Sequence, residues 1–130
     1  MQGTRQRGFT LIELMVATAI VALLASLAYP SYTKYVIRSN RTAAQAQMLD
    51  IANREQQFLM VNKAYATSTA LETSGYSLPS TLSSKYSYSV TVGASTVPAF
   101  TITFTAMGTQ ATDGNLTLTS EGVKSPTDKW

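Results

Sequence analysis

Residues 9–29 read FTLIELMVATAIVALLASLAY and hold a single charge, Glu13. As a helix this run would be roughly 31 Å long at 1.5 Å per residue, close to the ~30 Å of bilayer hydrocarbon. It is long enough to cross a membrane once. Ahead of it stands MQGTRQRG, residues 1–8, which is short, polar and basic through Arg5 and Arg7. Behind it comes Pro30, which has no N–H to donate and crowds the preceding turn, so a helix kink is expected there. An ordinary secretory signal peptide would place its small-residue cleavage site at Ser26-Leu27-Ala28. Its apolar stretch would be only ~7–15 residues long, however, and a carboxylate near its start would be out of place. Charge counting leaves the orientation open, because Lys34, Arg38 and Arg41 beyond the run outnumber Arg5 and Arg7 before it.

Downstream of Pro30 the helix is expected to resume. Residues 31–62 contain neither proline nor glycine. Ile37, Ala44, Met48, Ile51 and Phe58 recur there at steps that line one helical face, joined by Leu49, Ala52 and Leu59. Tyr29, Tyr32 and Tyr35 cluster at the exit from the apolar run, where an aromatic body with a polar tip suits either a membrane interface or a core. Lys34, Arg38 and Arg41 fall on one side, available to headgroups, to acidic patches of a neighbour, or to water. From Lys63 to Lys85 the chain is rich in Ser, Thr, Gly and Pro without a sustained period, and reads as a long surface loop.

Beyond that loop the period changes to two. Tyr86, Tyr88, Val90 and Val92 alternate with Ser87, Ser89 and Thr91; Phe100, Ile102 and Phe104 alternate with Thr101, Thr103 and Thr105. These are half-buried strands. A third, Leu116 and Leu118 against Thr117 and Thr119, follows the Asp113-Gly114 turn signal. Short connections favour an antiparallel meander, and the second half of the long helix is the apolar partner of suitable length. The expected class is α+β: a long kinked N-terminal helix whose C-terminal half packs on a three- to four-stranded antiparallel sheet. The expected division is a short basic leader over residues 1–8, a transmembrane helix over 9–29, to which the resemblance given below adds a role in assembly, and a globular part over 30–130 that includes the C-terminal half of the long helix.

At 130 residues there is room for one modest core besides a membrane-length segment. The chain has no cysteine and no histidine. That removes disulfides, thiolate metal sites, and the commonest general base and metal ligand together. Ser31-Tyr32-Thr33-Lys34 has the S-x-x-K spacing of a serine nucleophile with a nearby lysine, but the companion S-D-N and K-T-G elements are missing. No paired carboxylates, phosphate-binding glycine loop or metal cluster stands out. The expectation is no enzyme, no cofactor and no metal. The formal charge of +3 owes much to Arg5 and Arg7 and is too small to argue a polyanion partner.

The informative motif is Gly8-Phe9-Thr10-Leu11-Ile12-Glu13. Thr10 and Glu13 have capping-box spacing, and helix capping alone would account for them. A glycine directly before Phe9, closing a basic leader, adds a second reading. Cleavage there would create an amine one helical turn from Glu13, and each charge would neutralise the other in an apolar setting, within one chain or between two.

Gly8 followed by FTLIELMVATAIVALLASLAYPSY resembles the signature of type IV prepilins and type II secretion pseudopilins. The later run SNRTAAQAQMLDIANREQQFLMVNKAY, with LTLTSEGVKSPTDKW, is similar to minor pilins of the PilE kind. The resemblance implies cleavage between Gly8 and Phe9 by prepilin peptidase, N-methylation of Phe9, and a role for Glu13 in assembly. It further implies a single-pass inner-membrane precursor with its globular part in the periplasm, helped by inner-membrane assembly machinery. The product would be an extracellular fibre of pilin subunits used for adhesion, twitching or DNA uptake. Partial unwinding of the helix ahead of Pro30 within the fibre is also implied. A type II secretion pseudopilin is the nearest alternative. A DNA-binding pilin is another, with Lys63, Lys85, Lys124 and Lys129 forming a basic rim if the fold gathers them. One departure stands out: many relatives end in a disulfide just before a terminal tryptophan, whereas here Lys129 precedes Trp130.

Overall fold

The computed structural model describes residues 8–130; the leader assigned to residues 1–8 lies outside the described residues except for Gly8. The chain divides after Val36 into two units, and each is described by itself.

In the first unit, helix α1, Leu11–Asn62, begins and runs through Pro30 without an interruption in its helical assignment. The missing Pro30 N–H leaves one vacancy in the ladder. Every side chain from Gly8 to Tyr32 is exposed. Phe9, Leu11, Ile12, Val21, Leu23 and Leu27 are each between 64% and 81% accessible. A helix apolar on all faces with nothing packed against it has the character of a membrane span or an assembly element. Its hydroxyls fit that setting: Thr18 donates to the carbonyls of Leu14 and Met15 (3.0 and 2.9 Å), Ser26 to Leu23 (2.7 Å) and Thr33 to Tyr29 (3.1 Å). Polar groups bonded within the helix remain satisfied in hydrocarbon.

The second unit, Ile37–Trp130, holds the core. The remainder of α1 buries Ala44, Met48 and Ile51, with Ala52 and Phe58 partly covered, against Tyr86, Val90, Phe100, Ile102, Phe104, Leu116 and Leu118. The strands are β1, Tyr86–Val92, β2, Phe100–Ala106, β3, Leu116–Thr119, and β4, Lys124–Ser125, in the order β1-β2-β3-β4. All neighbours are antiparallel, with Val90 facing Ile102, Ile102 facing Leu118, and Leu118 facing Lys124. The outer face repeats hydroxyls: Ser89 lies across from Thr103, Thr103 from Thr117, and Thr117 from Ser125. Fully burying a side chain such as Ile102 or Met48 stabilises by about 1.5–3 kcal/mol, so this interface of helix on sheet supplies most of the unit's stability.

The segment read as a loop is more ordered than its composition implied. It contains two short helices, α2, Ser68–Thr73, and α3, Ser80–Ser83. Thr67 caps α2 by accepting the Ala70 N–H (3.3 Å), and Ser68 Oγ accepts the Val90 N–H of β1 (2.8 Å). Leu71, Tyr76 and Leu82 are buried, so tertiary packing holds helices too short to be stable alone. The turn signalled at Asp113-Gly114 forms, at the end of a longer connection. Gly108–Asp113 forms a 3-10 turn, and Gly114, at φ 85°, reverses the chain into β3.

Candidate functional site

Two regions carry candidate functional groups: the first turns of α1, and the surface of the second unit. At the helix start the Glu13 N–H donates to Thr10 Oγ1 (3.3 Å), and the Thr10 hydroxyl lies 3.5 Å from Glu13 Oε2. Only the threonine half of a capping box is formed. Glu13 does not bond the Thr10 N–H; its Oε2 instead accepts a long hydrogen bond from the Thr10 hydroxyl, so the carboxylate is held only at the limit of hydrogen-bond distance. Phe9, Ile12, Glu13, Val16, Ala17 and Ile20 line one shallow concavity, which puts the Phe9 end and the carboxylate on a common face.

The four lysines considered as a basic rim are spread over the second unit. Lys85 precedes β1 at the end of the ladder where Tyr86 faces Ala106, and its carbonyl accepts the Met107 N–H (2.8 Å). Lys63 follows α1. Nearby Tyr65 meets Phe100 edge-on, with centroids 4.7 Å apart, at the opposite end of that ladder, where Phe100 faces Val92. Lys124 sits on β4, at the sheet edge remote from β1, its Nζ 4.9 Å above the Trp130 ring. Lys129 is turned to Asp113, donating to its carbonyl and standing 3.7 Å from its carboxylate.

Arg41, grouped with Lys34 and Arg38 by sequence, is also committed. Its Nη1 donates to Asp113 Oδ1 at 2.6 Å, with both side chains largely buried. Asp113 is therefore the centre of a clamp between α1 and the end of the chain. Gln45 of α1 donates to the Lys129 carbonyl (2.7 Å), and Trp130 donates to the Ser125 carbonyl (3.4 Å). Hydrogen bonds and ion pairs thus close the C-terminal segment where a resembling chain would use cysteine. Beside the clamp, buried Gln110 accepts from Asn40 (3.2 Å) and donates to Tyr86 Oη (2.9 Å) and the Ile37 carbonyl (3.0 Å).

Sequence reasoning missed Glu55. It continues the buried stripe of Met48 and Ile51 and is itself fully buried. Oε2 accepts the Ala66 N–H (2.7 Å), and among the described residues Oε1 has no partner. Burial raises its pKa, opposed by that backbone bond. Burial, reinforced by Tyr88 and Asp50 and opposed by Arg54, pushes Tyr76 up to about 12. Tyr88 is also pushed up to about 12 by burial and by Glu72, to which its hydroxyl donates (3.2 Å). These phenols remain neutral donors around neutrality.

A free apolar helix ahead of a small helix-on-sheet unit is the plan of a fibre-forming pilin, and the comparisons agree. Residues 3–29 match the prokaryotic N-terminal methylation motif. Residues 30–119 match the family described as type IV minor pilin ComP, DNA uptake sequence receptor. The chain belongs to that minor-pilin family. Among curated relatives, it is 36% identical over 62 residues to the type IV major pilin protein PilA of Myxococcus xanthus (strain DK1622), covering 48% of this chain and 28% of that one. It is 32% identical over 73 residues to a fimbrial protein of Pseudomonas aeruginosa, covering 56% and 47%. It is 54% identical over 39 residues to the fimbrial protein EcpC of Eikenella corrodens, covering 30% and 26%. The chain thus spans less than half the length of these relatives. No solved structure matches it.

Proposed function

We propose that this chain is a minor-pilin subunit that enters a type IV pilus through residues 9–29 and displays a DNA-binding unit on the fibre for DNA uptake. The observation that carries this reading is the family match over residues 30–119, directly behind a methylation motif over residues 3–29. Prepilin peptidase cleaves after Gly8, the Phe9 amine is methylated, and the inner-membrane machinery inserts the subunit from a precursor whose second unit lies in the periplasm. Glu13 then meets the Phe9 amine of a neighbour. Support for that last step comes from the half-formed capping box, in which the carboxylate accepts only one long hydrogen bond, from the Thr10 hydroxyl. A type II secretion pseudopilin would share this N-terminal chemistry, but the matched relatives are named as pilins and fimbrial proteins.

Two measurements test the reading. Glutamine keeps the capping acceptor of Glu13 but removes its charge. Glu13→Gln should therefore be inserted and cleaved normally yet enter sheared filaments poorly, since an uncompensated amine in an apolar fibre costs several kcal/mol. Normal incorporation would refute charge pairing. The full chain in detergent should also retard DNA in a gel and release it as salt rises; no retardation at low salt would refute DNA capture.

A further inference from the structure

Near the end of α1, Arg54, Gln57, Phe58, Val61, Asn62 and Ser74 line an open groove of about 300 Å³. That volume is at the small end for an organic ligand. Gln57, Val61 and Asn62 of its lining are exposed, and Arg54 and Phe58 are half-buried. Phe58 supplies a half-buried apolar surface, and Val61, 80% exposed, an apolar edge. Among the described residues, the carboxamides of Gln57 and Asn62 make no hydrogen bond, so each presents a donor and an acceptor. Arg54 is oriented from two sides: its Nε donates to Asp50 Oδ2 (2.9 Å) and its guanidinium lies 5.3 Å above the Tyr76 ring. Among the described residues the Nη fork makes no hydrogen bond. No carboxylate lines the groove.

A planar ring with apolar faces and a donor–acceptor edge is the chemistry that complements this lining. Carboxamide and guanidinium groups read base edges in pairs of hydrogen bonds, and a base that has left its stack is held by packing on an apolar or aromatic surface. Bases in a duplex are recessed and would not reach a concave site, so the occupant must be unstacked. Lys63 adds a second, independent observation. Directly after Asn62, it closes the helix at φ 60°, a left-handed position where glycine is the unstrained choice. Its N–H ends the helix on the Leu59 carbonyl (2.9 Å), and as the exposed residue next in sequence to Asn62 it offers a cation to the phosphate of a bound nucleotide.

We infer that this groove receives one unstacked nucleobase of bound DNA, with Gln57, Asn62 and Arg54 reading its edge and Lys63 meeting the backbone; the inference rests on the DNA-binding reading above and deepens it. The test uses the full chain in detergent micelles with single-stranded oligo(dA), oligo(dT) and oligo(dC) and a mixed-sequence duplex, each over a salt series. The wild type should prefer one homopolymer over another by about tenfold, as expected of a paired edge contact. Gln57→Ala with Asn62→Ala should level those affinities while leaving the salt slope unchanged. Lys63→Ala should weaken all probes alike and reduce the slope by about one. Duplex binding as strong as single-strand binding means extrusion of a base, and weaker duplex binding means entry from an unpaired strand; both fit the groove. If the wild type binds DNA and the double variant keeps its base preference, the groove assignment falls while DNA capture stands. If the wild type shows no salt-dependent DNA binding, both fall.

Discussion

Replacing Asp113 by asparagine removes one charge and almost no volume, and the structure places that charge between two cations. Arg41 Nη1 is 2.6 Å from Oδ1 and Lys129 Nζ is 3.7 Å away, with Asp113 itself only 10% exposed. At an effective dielectric constant of about 20, those separations correspond to gross attractions of about 6 and about 4 to 5 kcal/mol. Desolvation of three partly buried groups cancels most of this. What Asp113→Asn exposes is the penalty of leaving Arg41 uncompensated, which for a buried pair is about 3–5 kcal/mol. Solvent still reaches Arg41, with its side chain 17% exposed, and asparagine keeps an acceptor, so the expected loss is about 2–3 kcal/mol. For a unit of this size that lowers Tm by roughly 10–20 °C. Thermal unfolding of the full chain in micelles measures it, and a cycle with Arg41→Met should give a coupling above about 1 kcal/mol. A variant within about 0.5 kcal/mol of wild type would refute the view that charge closes the C-terminal segment.

Three further perturbations have signs fixed by the geometry. Glu55→Gln should raise stability at neutral pH, because a carboxyl whose folded pKa is raised stabilises fully below its unfolded value of 4.5 and loses that contribution as pH climbs through the folded value; Tm against pH should show the gap closing in acid. Tyr76, raised from 10.0 to about 12, makes the fold lose about 2–3 kcal/mol as pH rises from 10 to 12, and Tyr76→Phe should make that alkaline decline shallower in urea titrations. Lys63→Gly should stabilise the second unit by about 1 kcal/mol by relieving its left-handed residue, while weakening retention of DNA in the same salt series.

The parts of this fold legible in the sequence are those where one period repeats long enough to be heard. Residues 9–29 needed only their apolar length. Tyr86–Val92 and Phe100–Ala106 alternate without a fault, and both strands span the residues that the alternation marked. The short helices Ser68–Thr73 and Ser80–Ser83 complete too little of a period to register, and they are held by Leu71 and Leu82 in a core assembled from elsewhere. Polar burial was hidden for another reason. Glu55 occupies the stripe of Met48 and Ile51, yet the Ala66 N–H that makes its burial tolerable follows a chain reversal no local pattern announces. Arg41 and Asp113 are 72 residues apart, so nothing near either one reveals the pair. At the helix start the motif was fully legible, but whether capping consumed Glu13 depended on which half of the box formed.

On the DNA-binding reading proposed above, the charge balance of the second unit constrains how it would hold DNA. From Ile37 to Trp130 there are seven lysines and arginines against six aspartates and glutamates. Arg41 and Lys129 are tied to Asp113, and Arg54 to Asp50. Arg38, Lys63, Lys85 and Lys124 remain for phosphates, and whereas Lys85 precedes β1, Lys63 stands two residues before the Tyr65 that meets Phe100 at the other end of the ladder. Even if all four engaged, the salt slope of one subunit would be no steeper than about −4. Such a unit gains little from counterion release alone. Durable capture then needs contacts that salt does not weaken, such as the amides beside Phe58, or several subunits engaging one DNA, where linkage raises avidity without any new contact. The two routes separate cleanly: base contacts persist in isolated protein at high salt, whereas avidity disappears when the fibre is dissociated into subunits.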